Sequence, residues 1–188
     1  MTEALLTEAL LTKALLVIDV QKLLFENSNP PHEAHAVIDR INSLSRQARD
    51  SGMPVIFIQH EQEGTPIARD SDGWQLATGL VAEDDDFRVG KSTPDSFNGT
   101  GLKSLLDELD VTELVICGYA SEFCVDTTVR RALALGYPVT LVTDAHTTAN
   151  KPHLDAASII AHHNATLCSI KSFGVVATGV STHEWRAE

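Results

Sequence analysis

From Lys13 to Ile170 short apolar, β-branched runs alternate with longer amphipathic stretches, and this alternation restricts the chain to an architecture of βαβ units. A parallel strand covered on both faces is apolar throughout, as in Ala14-Leu-Leu-Val-Ile before Asp19 and Val55-Ile-Phe-Ile before Gln59. Strands are predicted at residues 14–19, 55–59, 87–90, 113–117, 139–142 and 165–170. Helices are predicted at 33–50, 102–109, 121–135 and 154–163. The first of these places apolar residues at 34, 37, 38, 41, 44 and 48 on one face, and Gly52 and Pro54 close it. Residues 60–86 carry Gly64, Pro66, Gly73, Gly79 and an acidic run, a connection long enough to read as a lid or pocket wall.

Right-handed crossovers between such strands put helices on both faces. The expected fold is therefore α/β: a three-layer αβα, doubly wound, Rossmann-like domain over residues 13–188, with a six-stranded, mostly parallel sheet. Ahead of it, Thr2-Glu-Ala-Leu-Leu6 repeats at once as Thr7-Glu-Ala-Leu-Leu11, which predicts a helical extension over residues 1–12.

Charge narrows the partners. With 14 Lys+Arg against 26 Asp+Glu the net charge is −12, which disfavours nucleic acid and anionic membrane surfaces. No apolar run spans a bilayer and the start is not basic, so a cytoplasmic location is expected. The three cysteines, Cys117, Cys124 and Cys168, have no paired spacing, so neither a disulfide framework nor a zinc ribbon is expected. No GxGxxG or P-loop follows the first strand, which argues against a nucleotide cofactor.

Doubly wound domains bind ligands beyond the carboxyl ends of their strands, and three reactive residue types gather there. Cys124 sits where a strand ends at Gly118 and turns into a helix; with Ser121 as the cap, the thiol lies in the first turn, where the helix dipole lowers a cysteine pKa. Asp19 ends the first apolar run and Lys91 follows the short strand predicted at 87–90. A carboxylate can take a thiol proton and an ammonium can hold both anions, the logic of an activated nucleophile. Each also fits a plain structural role: a small buried thiol, a loop-fixing carboxylate, a solvated lysine. Cys117 and Cys168 lack a strand-end setting and are expected in the core or at an edge.

Three segments carry a resemblance. Leu15-Leu-Val-Ile-Asp-Val-Gln21, Gly90-Lys-Ser-Thr-Pro-Asp-Ser-Phe97 and Cys117-Gly-Tyr-Ala-Ser-Glu-Phe-Cys-Val-Asp-Thr-Thr128 are similar to the three motifs of the isochorismatase-like cysteine hydrolases. The resemblance implies a catalytic triad of Asp19, Lys91 and Cys124, a cis peptide before Ala120, and an oxyanion hole from the amides of Ala120 and Cys124. It implies hydrolysis of an amide or ureido C–N bond of a small molecule through a thioester, in a homodimer or homotetramer. Substrate-side candidates are Gln21, Phe25, His60, Trp74, Phe97, Tyr119 and Phe123, with Gln21 equally able to brace a loop. Nicotinamidases of this superfamily bind a metal through an Asp-x-His pair; Gln59-His60-Glu61-Gln62 stands there instead, and no metal or other cofactor is expected. Isochorismatases that cleave an enol ether lack the cysteine, so Cys124 favours amide chemistry.

Overall fold

The structure is a computed structural model that describes residues 12–187; the duplicated segment lies outside the described residues. Its elements run β1 (Lys13–Ile18), α1 (Lys22–Phe25), α2 (Ala34–Asp50), β2 (Val55–His60), β3 (Phe87–Lys91), α3 (Leu102–Glu108) and β4 (Glu113–Tyr119). A π-helical turn, Ser121–Val125, then leads into α4 (Asp126–Ala134), β5 (Val139–Thr147), α5 (Ala156–Cys168) and β6 (Ala177–Val180).

The six strands form one sheet in the order β3-β2-β1-β4-β5-β6. Every ladder is parallel, so "mostly parallel" understates the sheet. This order reverses direction between β1 and β4, which makes the crevice above those two strands the place where such a fold takes a ligand. Residues of β1 alternate between two cores. Leu16 and Ile18 pack with α3, α4 and the inner face of β5, whereas Leu15 and Val17 pack with Val37, Ile41 and Leu44 of α2. All four are at most 1% exposed, and burying each stabilises the fold by about 1.5–3 kcal/mol.

One predicted strand is corrected. Residues 165–170 are the end of α5 and the turn beyond it, and the sixth strand is Ala177–Val180. Ala165 and Leu167 alternate like a strand, but Leu167 also lies eight residues beyond the buried Ile159, a helical spacing, and the Asp155 side chain caps the helix by accepting from the Ser158 N–H at 2.8 Å. The helix predicted at 121–135 is split by its π-helical opening.

Residues 61–86 are fastened to the domain rather than loose. Asn42 donates to the Gly79 carbonyl at 2.8 Å, Arg49 reaches Asp86 at 2.7 Å, and Lys22 pairs with Asp72 at 2.7 Å. Among the described residues, no helix is long and apolar enough to cross a membrane.

Candidate active site

The candidate site is built where the ends of β1 and β4 lie side by side, Ile18 paired with Gly118. Gly118 has φ +118, and a Cβ there would overlap the Ile18 carbonyl oxygen and lie 2.6 Å from the Ile18 nitrogen. Only glycine fits, and its neighbour β1 ends one residue later in Asp19, which takes φ 52 and keeps its N–H on the Ile58 carbonyl at 2.8 Å. That turn directs the Asp19 side chain inward, where it is 1% exposed.

Lys91, at the end of β3, is 2% exposed. Its Nζ donates to Asp19 Oδ2 at 2.6 Å, to Cys124 Sγ at 3.2 Å and to the Thr93 carbonyl at 3.2 Å. One ammonium group thus links the carboxylate to the thiol. The second carboxylate oxygen, Asp19 Oδ1, is buried with no hydrogen-bond partner among the described residues. The peptide between Tyr119 and Ala120 is cis, and the Ala120 carbonyl accepts from the N–H groups of Phe123 at 3.0 Å and Val125 at 3.1 Å.

The thiol itself differs from the sequence expectation. Burial, reinforced by the negative charge of Asp19 and opposed by Lys91, pushes Cys124 up to about 12 instead of lowering it. Ser121 is not the cap either; its hydroxyl turns to His146, and the π-helical turn opens without a side-chain cap. A first-turn dipole at a helix end is a modest effect, and removal from water outweighs it. Cys124 therefore rests as a thiol at neutral pH. Its alkylation by iodoacetamide should rise about tenfold per pH unit between pH 7 and 10, and a plateau below pH 8 would show a resting thiolate instead. Since an unfolded cysteine ionises near about 8.5, the stability this thiol contributes is complete below that pH and is lost as pH rises toward 12.

The isochorismatase domain family matches residues 13–172. A solved isochorismatase family protein is 37% identical and superposes with a TM-score of 0.83 over 90% of this chain and 98% of that one. The chain belongs to the isochorismatase family. A streptothricin hydrolase of Streptomyces noursei is 41% identical over 140 residues, 73% of this chain and 50% of that protein. A probable inactive nicotinamidase of Arabidopsis thaliana is 30% identical over 92% of this chain and 94% of its own length. The chain spans about half the length of the streptothricin hydrolases it matches.

Within this isochorismatase-family chain the substrate-side candidates separate. Gln21 is a brace: its amide donates to the carbonyls of His60 at 3.0 Å and Trp74 at 2.9 Å, and its oxygen accepts from the His60 N–H at 2.8 Å. Phe25 and Phe97 are buried and packed against other aromatic rings. Phe25 is 4% exposed and meets Tyr119 edge-on at 5.8 Å, and Phe97 stacks on Tyr137 at 6.2 Å. Phe123 projects outward, 56% exposed, with the Lys151 ammonium 5.7 Å from its ring centre. His60 stays close to the centre. Burial and then the Lys91 charge lower its pKa, so a neutral imidazole stands beside Lys91 and Asp19. His60 Nδ1 and Trp74 Nε1 are both buried without a partner among the described residues. Tyr119 keeps its phenolic proton, because burial first, and then the charges of Glu122 and Asp19 and of Cys124 once it ionises, raise its pKa.

Sequence reasoning missed Glu122, Thr148 and Lys151. Glu122 Oε1 accepts from Thr148 at 2.8 Å and from Lys151 at 2.8 Å, tying the turn that carries Cys124 to the segment after β5. Burial opposes the charge on Glu122, and these bonds overcome it, holding its carboxyl below the usual range. Nothing local in the sequence announces a pairing between residues so far apart. Among the described residues, no group of three or more His, Cys, Asp or Glu side chains is placed to hold a metal ion.

Proposed function

We propose that this isochorismatase-family hydrolase cleaves an amide or ureido C–N bond of a small molecule, using Cys124 as nucleophile. The observation that carries the reading is the buried Lys91 ammonium, 2.6 Å from Asp19 Oδ2 and 3.2 Å from Cys124 Sγ. Asp19 takes the thiol proton, and the thiolate sulfur attacks the carbonyl carbon as the C–O π electrons move to oxygen. The oxyanion rests on the N–H groups of Ala120 and Cys124, and Lys91 offsets the negative charge throughout. When the tetrahedral intermediate collapses, the C–N bond breaks and Asp19 returns its proton to the leaving nitrogen. Water, losing a proton to Asp19, then hydrolyses the thioester and restores the thiol.

A thiol held near 12 suits this sequence, because the proton leaves only as the substrate arrives and the centre avoids a second standing anion beside the Asp19 carboxylate. The streptothricin hydrolase similarity is consistent with amide chemistry, and the overall charge of −12 favours a neutral or cationic substrate. The test is release of ammonia or amine from a panel of small primary amides, ureido compounds and lactams. Turnover of at least one member is expected, with Cys124→Ala reducing it at least about 10³-fold. Silence across the panel, or turnover untouched by Cys124→Ala, points to a binding protein on this fold or to a cysteine-independent hydrolysis.

A further inference from the structure

His146 lies on β5 and is 1% exposed. Its Nε2 is 2.7 Å from Asn164 Oδ1 on α5. The Asn164 amide nitrogen donates to the Thr143 carbonyl at 3.0 Å, so its oxygen faces the imidazole, and the Nε2 of His146 must carry the proton. Burial, the largest influence on this histidine, keeps the ring neutral. Its Nδ1 therefore presents a lone pair, and the partner at 2.8 Å is the hydroxyl of Ser121, 0% exposed, which must be the donor. Ser121 directly follows Ala120 and opens the π-helical turn that carries Cys124.

We propose that Asn164, His146 and Ser121 form a positioning relay that fixes the amides of Ala120 and Cys124 for the oxyanion. The inference rests on the hydrolase reading and goes beyond it. A polar chain of this kind adds little net stability over an apolar filling of the same shape, so directional control is what it supplies. The need for control is local. A serine hydroxyl without a fixed acceptor bonds to neighbouring backbone and competes with the geometry of the turn. An oxyanion donor out of place costs on the order of 10²–10³ in rate. Ser121 touches no reacting atom; its effect passes through the backbone on either side of it.

The relay acts on the oxyanion and not on the thiol, so two reagents separate the two. Acylation by 4-nitrophenyl acetate passes through a tetrahedral oxyanion and releases a burst of 4-nitrophenolate; alkylation by iodoacetamide has no such intermediate. Ser121→Ala is expected to slow the Cys124-dependent burst at least tenfold and to change Cys124 alkylation less than twofold, with Ser121→Thr restoring the burst. Asn164→Leu, which frees His146 to move its proton to Nδ1, should slow the burst in the same direction. Equal effects on both reagents, or none on either, overturn the relay, and a thermal melt of each variant identifies any that has lost its fold, for which Ser121→Thr against wild type supplies the comparison. A wild-type burst that persists in Cys124→Ala overturns the hydrolase reading and the relay with it.

Discussion

Lys91→Met is expected to abolish turnover and to destabilise the protein by about 3–5 kcal/mol, because it strands a carboxylate that has no access to water. The Lys91 and Asp19 side chains are 0% and 2% exposed, and the ammonium is the cation that Asp19 meets at hydrogen-bond distance. Methionine fills much the same volume, so the loss is one of charge. Asp19→Asn alone leaves the opposite problem, a buried ammonium with its carboxylate gone. Combining the two changes removes both charges, and the double variant should regain most of the lost stability while remaining inactive. Denaturant titration of the two single variants and the double variant decides the matter. If the double variant is as unstable as the sum of the singles, the pair is not coupled and the linked-charge description of the site is wrong. A Lys91→Met enzyme within tenfold of wild type would remove the lysine from the mechanism.

Gly118→Ala should have an effect at least as large on folding. An ordinary glycine at positive φ costs about 1–2 kcal/mol on replacement by alanine. Gly136 is such a case, with φ +89 and nothing within 4 Å of an added Cβ. At Gly118 the Cβ would also strike the backbone of Ile18, and a strand ladder cannot yield as a flexible side chain does. Lys13 to Ile18 pair with Glu113 to Gly118 residue by residue, so relief at one end means parting β1 from β4. We expect a loss above about 4 kcal/mol, enough to unfold a domain of ordinary stability. Circular-dichroism melts of Gly118→Ala beside Gly136→Ala test it, and melting temperatures within a few degrees of each other would contradict the close approach.

The sheet was legible in the sequence because its strands are covered on both faces, which leaves apolar runs such as Leu15-Leu-Val-Ile18 that no exposed element tolerates. Asp19 and Cys124 were legible for a related reason: Asp19 ends such a run and Cys124 sits in the turn beyond another, at the end where the topology gathers ligands, whereas Lys91 ends an edge strand with Arg88 and Gly90 exposed and was legible through the Gly90–Phe97 motif. Ala165 to Ile170 misled because a short apolar alternation fits a strand and a helix flank alike, and only the Asp155 cap upstream decides between them. The ionisation of Cys124 was read in the wrong direction, since its turn is local but its burial is made by elements distant in sequence. The same holds for Ser121 and His146, 25 residues apart, which the pairing of Gly118 with His146 across β4 and β5 brings together.

The order of the strands has a consequence for the protein's biosynthesis. Asp19 and Lys91 are 72 residues apart, Lys91 and Cys124 a further 33, and β1 finds its inner neighbour only when β4 has been made. A growing chain, extended at about 5–20 residues per second, therefore carries Asp19 for several seconds before the thiol exists, and the thiol emerges before α4 and β5 can enclose it. In that interval Cys124 has the acidity of any free cysteine and is open to oxidation, whereas the finished fold keeps it protonated and partly buried. Oxidative loss of this centre should thus fall on newly made chains more than on old ones.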